Sequence, residues 1–437
     1  MLVSLGLINQ SAQGYLWHWE NSEEPEGKPM DSVSNLLESI EGVGRDTVRG
    51  GYSRPVFSPA ELDLRSWFEQ EARRRGLDIE TDRNGILWAW WDVDGADRND
   101  GGTRDGALVT GSHLDSVPGG GAFDGPLGVA AALAAVDLLK ERGVQPQRAL
   151  AVTVFPEEEG SRFGVACLGS RLLTGAIDPD TARNLKDPDG VTFAEAARAN
   201  GLDPAHLGRD DEALRRIGDF VELHVEQGRG LIDLDSAIAV GTSIIGHGRW
   251  KLTISGQGNH AGTTLMEDRA DPMVAAAQVI LAIRKTAAAT PEARATVGRL
   301  QPIPGGTNVI ASRVELWIDI RHPDDATTAS LVESIHGQAQ KAAAFEGCTA
   351  ALTRESVSGT VTFDGELQRQ LQLAIPGAPG LPTGAGHDAG ILAAHAPSAM
   401  LYVRNPTGIS HSPEEHVEDD DADYGAVALA DALERLL

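Results

Sequence analysis

From residue 107 onward, apolar segments of two kinds alternate along the chain, and this alternation limits the fold more than any other feature. ALVTGSHLDS, ALAVTVFPEEEG and FVELHVEQG have the length and pattern of strands, whereas LGVAAALAAVDLLKERG has the period of a helix. An earlier segment, SPAELDLRSWFEQEARRRG, predicts a helix that Ser58 caps. Alternating strands and helices predict an α/β sheet flanked by helices, with ligand sites at the carboxyl ends of the strands.

A change of pattern between residues 246 and 355 predicts an inserted domain. This stretch has the β-α-β-β-α order of a small α+β unit. The 437 residues also exceed what one hydrophobic core usually supports. We therefore expect a catalytic domain in two parts, 30–245 and 356–437, separated by the insertion. Residues 1–29 show no sustained period and predict a disordered tail, so Met30 is an alternative start.

The charge and the cysteines exclude several classes of protein. With 37 Lys and Arg against 64 Asp and Glu, the net charge of -27 repels nucleic acid and anionic membranes. A small anionic substrate would need a local cationic group. Cys167 and Cys348 lie far apart and form no CxxC pattern, which argues against a thiolate metal site and favours the reducing cytoplasm. No segment is long and apolar enough to predict a membrane span.

The segment GSHLDSVPGGGAFDG places two polar side chains on one face at the end of a predicted strand. His113 and Asp115 are two residues apart, so Asp115 can orient the His113 ring if that ring binds a metal. The glycine run lets the chain turn back and bring Asp124 beside His113. Alone, an HxD pair is more often a polar strand end than a metal site.

Three carboxylates in a row follow a buried strand in FPEEEGSRFG. Such a row is unfavourable unless a cation or a shared proton relieves the repulsion. We expect Glu159 and Glu158 to divide two roles, one binding a metal and the other accepting a proton from a metal-bound water. His224, at the end of a further strand, and His411, in a turn-rich loop before the last helix, complete the set. Five ligands at successive strand ends favour a metal centre over isolated structural histidines.

These residues lie in motifs that resemble one family, the amidohydrolases of the zinc-exopeptidase superfamily that comprise N-carbamoyl-L-amino acid hydrolases, allantoate amidohydrolases and β-ureidopropionases. The resemblance covers residues 30–437 and rests on eight motifs in order: GSHLDSVPGGGAFDGPLG, EEEGSRFG, ELHVEQG, GNHAGTT, GGTNVI, DIRH, GAGHDAG and GISHSP. It implies a zinc-exopeptidase-like mixed sheet flanked by helices. It also implies that the insertion is a ferredoxin-like α+β lid and dimerisation domain.

The resemblance implies two divalent metal ions per subunit. His113 and His224 would bind one ion, Glu159 and His411 the other, and Asp124 would bridge them. A site of oxygen and imidazole ligands without thiolate suits Zn, Mn, Co or Ni, and the sequence does not choose among these. Glu158 is at the position where the family keeps its general base.

The resemblance also implies how a small anionic ureido substrate is held. Arg321 would bind the substrate carboxylate, Gln227 would contact the ureido group, and His260 and Asn308 would hold the scissile carbonyl or its oxyanion. His387 would border the pocket or fix its own loop. In dimeric members, residues of the inserted domain reach the neighbouring subunit's active site, which predicts a homodimer through this domain.

The function implied is hydrolysis of an N-carbamoyl group on a small carboxylate, either allantoate or an N-carbamoyl-L-amino acid, with release of ammonia and carbon dioxide. Two alternatives are a dipeptidase or aminoacylase on the same scaffold, and a non-catalytic ligand-binding relic of the fold. The acidic stretch EEHVEDDDAD is expected to cap the last helix, because the helix dipole favours carboxylates at its N-terminus.

Overall fold

The computed structural model describes residues 32–93 and 104–437. The expected tail at 1–29 and residues 94–103 lie outside the described residues. The described strands are β1 Asp78–Thr81, β2 Leu87–Trp91, β3 Ala107–His113, β4 Leu150–Phe155, β5 Ile217–Val225, β6 Ile238–Ile244, β7 His247–Ser255, β8 Asn259–His260, β9 Arg294–Ile303, β10 Val309–Ile310, β11 Arg313–Arg321, β12 Thr349–Ser358, β13 Val361–Thr362, β14 Gly380–Thr383 and β15 Ser398–Val403. The described α-helices are α1 Val33–Ser39, α2 Pro59–Arg74, α3 Pro126–Glu141, α4 Leu168–Thr174, α5 Pro179–Arg183, α6 Phe193–Ala199, α7 Asp211–Arg216, α8 Gly230–Asp233, α9 Pro272–Ala288, α10 Asp325–Phe345, α11 Gly365–Ala374, α12 Asp388–Leu392 and α13 Asp419–Leu436.

The larger sheet has nine strands in the order β1-β2-β4-β3-β5-β15-β6-β13, with β14 paired to β6. Its central strands β4, β3, β5 and β15 run parallel to one another, and β2 and β6 join them in antiparallel pairs. The mixed sheet predicted from the sequence is therefore confirmed. Because the four central strands are parallel, their carboxyl ends meet at one edge of the sheet.

Helices cover both faces of this sheet. On one face, α1, α2, α3, α11 and α13 pack in a core that includes Phe68, Leu133 and Leu429. On the other face, α4, α7, α8 and α12 pack in a second core around Phe155 and Phe220. α3 is apolar around most of its surface because it lies between the sheet and the helices α1 and α13.

The first long helix, α2, forms where its cap predicts. Ser58 Oγ accepts a hydrogen bond from the Glu61 backbone N–H, and Pro59 occupies the first helical position. The Glu61 side chain does not return to the N–H of the cap itself. It accepts from the Phe57 backbone N–H at 2.9 Å, one residue earlier, and so fixes the entry into the helix.

A separate four-stranded antiparallel sheet, in the order β12-β7-β11-β9, is formed within residues 247–358. α9 and α10 pack on it through a core of their own, which includes Leu252, Val279 and Ile335. The sequence predicted a β-α-β-β-α order, and the structure adds β12 as the last strand, completing the β-α-β-β-α-β arrangement. We retain the division into a catalytic domain and an inserted domain as a proposal.

Residues 165–216, for which the sequence patterns predicted no element, form the short helices α4 to α7. Phe163, Leu172 and Phe193 pack there in a small core beside the main sheet. In the part of the chain that the structure describes, no helix is long and apolar enough to cross a membrane.

Candidate metal centre

The predicted ligands meet at the edge formed by the carboxyl ends of the central strands. His113 is the last residue of β3, His224 is the last but one of β5, and the acidic triplet begins two residues after β4. Two loops complete the group. One joins β3 to α3 and carries Asp124, and the other precedes α13 and carries His411.

The ligand atoms form two groups that share one carboxylate. In the first group, Asp124 Oδ1 lies 3.4 Å from His113 Nε2 and 3.3 Å from His224 Nε2, and the two Nε2 atoms are 3.4 Å apart. In the second group, His411 Nε2 lies 3.4 Å from Asp124 Oδ2 and 3.4 Å from Glu159 Oε2. The two oxygens of Asp124 therefore face different groups.

These spacings fit divalent metal ions. A tetrahedral ion with ligands at about 2.0–2.1 Å holds its ligand atoms about 3.3–3.4 Å apart, which matches the five distances above. The donor set is imidazole nitrogen and carboxylate oxygen, as divalent zinc and its neighbours prefer. The two groups are thus suited to bind divalent metal.

Backbone contacts fix the orientation of both buried histidine rings. His113 Nδ1 lies 3.0 Å from the Asp115 carbonyl oxygen, and His224 Nδ1 lies 3.0 Å from the Val225 carbonyl oxygen. A carbonyl oxygen can only accept, so both Nδ1 atoms carry the proton. Each Nε2 then presents its lone pair to the ligand group.

The Asp115 side chain was expected to orient the His113 ring, but the backbone of Asp115 makes the closer contact. Its carboxylate Oδ1 is 3.7 Å from His113 Nδ1, so the ring is oriented by the Asp115 backbone and not by its side chain. The carboxylate accepts instead from the backbone N–H groups of Glu158, at 3.1 Å, and Glu159, at 3.2 Å. Asp115 thereby links the end of β3 to the acidic triplet.

Gly125 is required where the ligand loop enters α3. Its φ of +86° is in the left-handed region, and a Cβ at this position would lie 2.5 Å from His113 Nδ1. A larger residue would therefore displace the His113 ring.

Burial and neighbouring charges raise the pKa values of several of these groups. Burial raises the pKa of Glu158 well above its ordinary value. Burial, reinforced by the charge of Asp124, does the same to the pKa of Glu159. Burial opposes protonation of His113, yet the charge of Glu158 and the contact with Asp124 outweigh it and raise the pKa of this ring. The centre thus holds excess negative charge, which a cation would compensate.

Glu158 lies beside the two groups without belonging to either. It is buried, and its Oε2 is 3.6 Å from His113 Nε2. Its other oxygen, Oε1, is 3.4 Å from Cys167 Sγ, which donates to it. A carboxylate in this position can exchange a proton with a group bound at the centre.

A cavity of about 400 Å³ adjoins the ligands. Gln227 lines it and donates from Nε2 to Asp124 Oδ2 at 2.7 Å, whereas its buried Oε1 has no hydrogen-bond partner among the described residues. His387 also lines it, is buried, and has its ring centroid 4.5 Å from that of His224. Burial, together with the neighbouring His224, holds the pKa of His387 well below its usual value.

Arg321, at the end of β11, lines the same cavity. Its Nε and Nη2 donate to the two oxygens of Asp319 at 2.7 and 3.1 Å, and its Nη1 donates to the Gly384 carbonyl oxygen. Arg171 and Arg249 line the cavity as well, so it offers cations in a chain of net charge -27.

His260 and Asn308 are not brought to this cavity within the subunit. Both are exposed, and they lie side by side because the Ala261 backbone N–H donates to the Asn308 carbonyl oxygen at 2.9 Å. Neither residue lines the cavity at the ligands.

Glu415 is a residue of the site that the sequence patterns missed. The acidic stretch was expected to cap the last helix, and Asp419, Asp420 and Asp421 do lie in the first turn of α13. Glu415 is instead buried, and its Oε1 accepts from the backbone N–H of Phe123, at 3.2 Å, and that of Asp124, at 3.0 Å. Burial, with the charge of Asp124, raises the pKa of Glu415 to about 7.

Comparisons with known proteins identify the family of this chain. The sequence profile of peptidase family M20/M25/M40 matches residues 109–435. The chain is 36% identical over 394 residues to an N-carbamoyl-L-amino acid amidohydrolase of Geobacillus stearothermophilus, covering 87% of this chain and 92% of the relative. It is 31% identical over 414 residues to an allantoate amidohydrolase of Bacillus subtilis, covering 93% and 97%.

Solved structures are similar over most of the chain as well. A hydantoinase/carbamoylase family amidase of Burkholderia multivorans superposes with a TM-score of 0.78 at 30% identity, covering 92% of this chain and 96% of that one. AtUAH in complex with (S)-hydroxyglycine superposes with a TM-score of 0.77 at 28% identity, covering 92% and 96%. The resemblance inferred from the eight motifs is thus confirmed, and the chain belongs to peptidase family M20/M25/M40.

Proposed function

We propose that this chain is a metal-dependent amidohydrolase that cleaves the ureido C–N bond of a small carboxylate, such as allantoate or an N-carbamoyl-L-amino acid. Water is consumed, and the products are the free amine, ammonia and carbon dioxide. The proposal rests on one observation. Two groups of candidate ligand atoms share Asp124, and they lie beside a cavity that arginine side chains line. The relatives are named N-carbamoyl-L-amino acid amidohydrolase and allantoate amidohydrolase, and these names support cleavage of the same bond.

Two divalent ions would occupy the centre, drawn from Zn, Mn, Co and Ni. His113 and His224 would hold one ion and Glu159 and His411 the other, with one oxygen of Asp124 for each. When bound, such a pair lowers the pKa of water and stabilises negative charge that develops on a carbonyl oxygen.

Glu158 is proposed as the general base. Its carboxylate takes a proton from the attacking water and delivers it to the nitrogen that leaves, so that the amine departs neutral. Its burial supports this role, because a buried carboxylate holds a proton more readily than an exposed one.

Substrate binding is assigned to the cavity wall. Arg321 would bind the substrate carboxylate, and its two contacts with Asp319 keep the guanidinium in one orientation. Gln227 would contact the ureido group through its unpaired Oε1, which can accept a ureido N–H. His387 borders the cavity and is proposed to contact the substrate. The complexes of AtUAH hold (S)-hydroxyglycine and glyoxylate, which are themselves small carboxylates.

A homodimer is proposed through the inserted domain. Exposed apolar side chains gather on and before α9, where Met266 and Leu281 are 77% and 69% exposed. Such side chains are typical of a surface that another chain covers. His260 and Asn308, exposed on the same domain, would then complete the active site of the neighbouring subunit. A cytoplasmic location is proposed because both described cysteines are free thiols.

The dipeptidase or aminoacylase alternative is not favoured, since the relatives reported above carry the names of ureido-cleaving enzymes. A non-catalytic relic is disfavoured because the proposed ligands and base converge at one edge of the sheet.

Removal of metal tests the proposal directly. Dialysis against a chelator is expected to abolish hydrolysis of N-carbamoyl-L-methionine and allantoate, and addition of Zn, Mn, Co or Ni is expected to restore it. Metal per chain, measured by elemental analysis, should approach two at full activity. Metal-free enzyme that keeps its rate would reject the mechanism. Turnover of dipeptides in place of ureido compounds would reject the substrate class.

A further inference from the structure

The cavity beside the ligands has an apolar side in addition to its charged side. Ile244 at the end of β6, Val361 in β13 and Ile391 in α12 all line it. We refer to these three residues as the apolar wall.

The backbone segments that carry the three side chains are neighbours. Val361 is paired directly with Ile244 in the β13–β6 ladder. On the other side, Ile244 fills the space over Gly390, where an added Cβ would lie only 2.4 Å from Ile244 Cδ1. Gly390 therefore lets β6 and α12 approach closely, and Ile391, the next residue of α12, lines the same cavity as Ile244.

This wall is adjacent to the reacting centre. α12 begins at Asp388, directly after His387, whose ring packs against that of His224. A substrate whose ureido group lies at the ligands would thus have its neighbouring atoms within the same cavity as Ile391. Val361 and Ile391 are half-buried, so part of each side chain remains free to contact a ligand.

Allantoate and an N-carbamoyl-L-amino acid differ in what they place on such a wall. Allantoate carries a second ureido group, whose N–H donors need acceptors. The apolar wall offers them no side-chain acceptor, and Arg171, Arg249 and Arg321 only donate; the acceptors that line the cavity, Ser358 Oγ and Gln227 Oε1 among them, are not part of this wall. An aliphatic side chain would instead bury its surface there, and one methylene in an apolar pocket changes kcat/KM by roughly 10-fold or more.

We propose that the apolar wall receives the substrate side chain, so that the preferred substrates are N-carbamoyl-L-amino acids with aliphatic side chains. This inference rests on the proposed function and chooses among its substrates. The wall acts through contact with a part of the substrate that does not react. It is therefore expected to set the preference among substrates.

The test compares kcat/KM for N-carbamoyl-L-leucine, N-carbamoylglycine and allantoate on the metal-loaded enzyme. We expect the leucine derivative to exceed each of the others by at least roughly 10-fold. Ile391→Asn should move the leucine-to-glycine ratio towards one, and Ile391→Val should give an intermediate ratio. Leu373→Asn is the matched control, because Leu373 is 49% exposed on α11 and lines no part of this cavity.

Thermal unfolding and metal content of each variant show whether it folds with its centre intact, and the Val variant keeps the test decisive if the Asn variant does not fold. Equal or better turnover of allantoate or the glycine derivative would contradict the proposed role of the apolar wall. It would not contradict the proposed function. An unchanged leucine-to-glycine ratio in both Ile391 variants would do the same. Failure to hydrolyse any of the three compounds would reject the proposed function itself.

Discussion

Glu158 lies beside the two groups of candidate ligands, 3.6 Å from His113 Nε2, but belongs to neither group. A change at Glu158 can therefore affect catalysis without removing a candidate metal ligand. Glu158→Gln keeps the size of the side chain and removes its ability to accept the proton. We expect kcat to fall by roughly 10²–10⁴-fold while metal per chain is unchanged. The measurement is steady-state kinetics beside elemental analysis. Glu141→Gln, the same change at an exposed position, is the control. A variant with full activity would point to another base.

Glu415 illustrates how a residue outside the ligand set can determine its geometry. It joins the two ligand loops, because its Oε1 accepts from the Asp124 backbone and its Oε2 accepts from Ser410 Oγ at 3.3 Å, next to His411. Glu415→Ala should weaken metal binding by roughly 10–100-fold. Glu415→Gln should largely retain it, since the amide oxygen still accepts from both N–H groups.

The readout for Glu415 is metal retained during titration with a competing chelator, with Glu414→Ala as the matched control because Glu414 is the exposed neighbour. If the Gln variant loses metal as fully as the Ala variant, charge and not hydrogen-bond geometry accounts for the effect of Glu415.

At the scale of elements, α3 holds the centre in place because it starts directly after the ligand loop and packs in the main core. Leu133 is fully buried in this helix. Leu133→Ala removes apolar contacts and leaves a cavity, so we expect the free energy of unfolding to fall by about 2–5 kcal/mol.

Urea denaturation with the metal-loaded protein measures this loss. Leu373→Ala, at an exposed position of α11, should change the free energy of unfolding by no more than about 0.5 kcal/mol. A comparable loss in both variants would show that burial in α3 is not the cause.

The elements themselves were predictable to different degrees. Strands β3 to β5 and helices α2 and α3 follow from strong local patterns and end close to the expected positions. The helices α4 to α7 were missed because each has seven residues or fewer, too short for a period to emerge. β12 was missed because its exposed and half-buried residues carry little apolar pattern, and its pairing with β7 decides its structure.

At the scale of the whole molecule, the exposure of His260 predicts that a complete active site needs two subunits. Glu158→Gln and His260→Ala should each abolish most activity as homodimers. Co-expression of the two variants forms mixed dimers in which one site has both an intact Glu158 and an intact partner His260. We expect about a quarter of wild-type activity per chain, because half of the dimers are mixed and each has one intact site of two.

Sedimentation of the wild-type chain gives the oligomeric state needed to interpret this result. Mixed dimers without recovered activity would show that His260 serves the site of its own subunit, and an active His260→Ala homodimer would show that it serves neither site. A monomer with full activity would reject the dimer altogether.

The sequence by itself determined the α/β class and the candidates for the ligands and the base, because strand and helix periods are local and residues at strand ends converge whenever the strands are parallel. Only the tertiary structure decided the finer arrangement. It decided that the Asp115 backbone orients His113, that Glu415 holds Asp124, and that Ile244 and Ile391 share one wall. The physical reason is distance along the chain: Glu415 and Asp124 are 291 residues apart, and no local pattern encodes a contact made by folding alone.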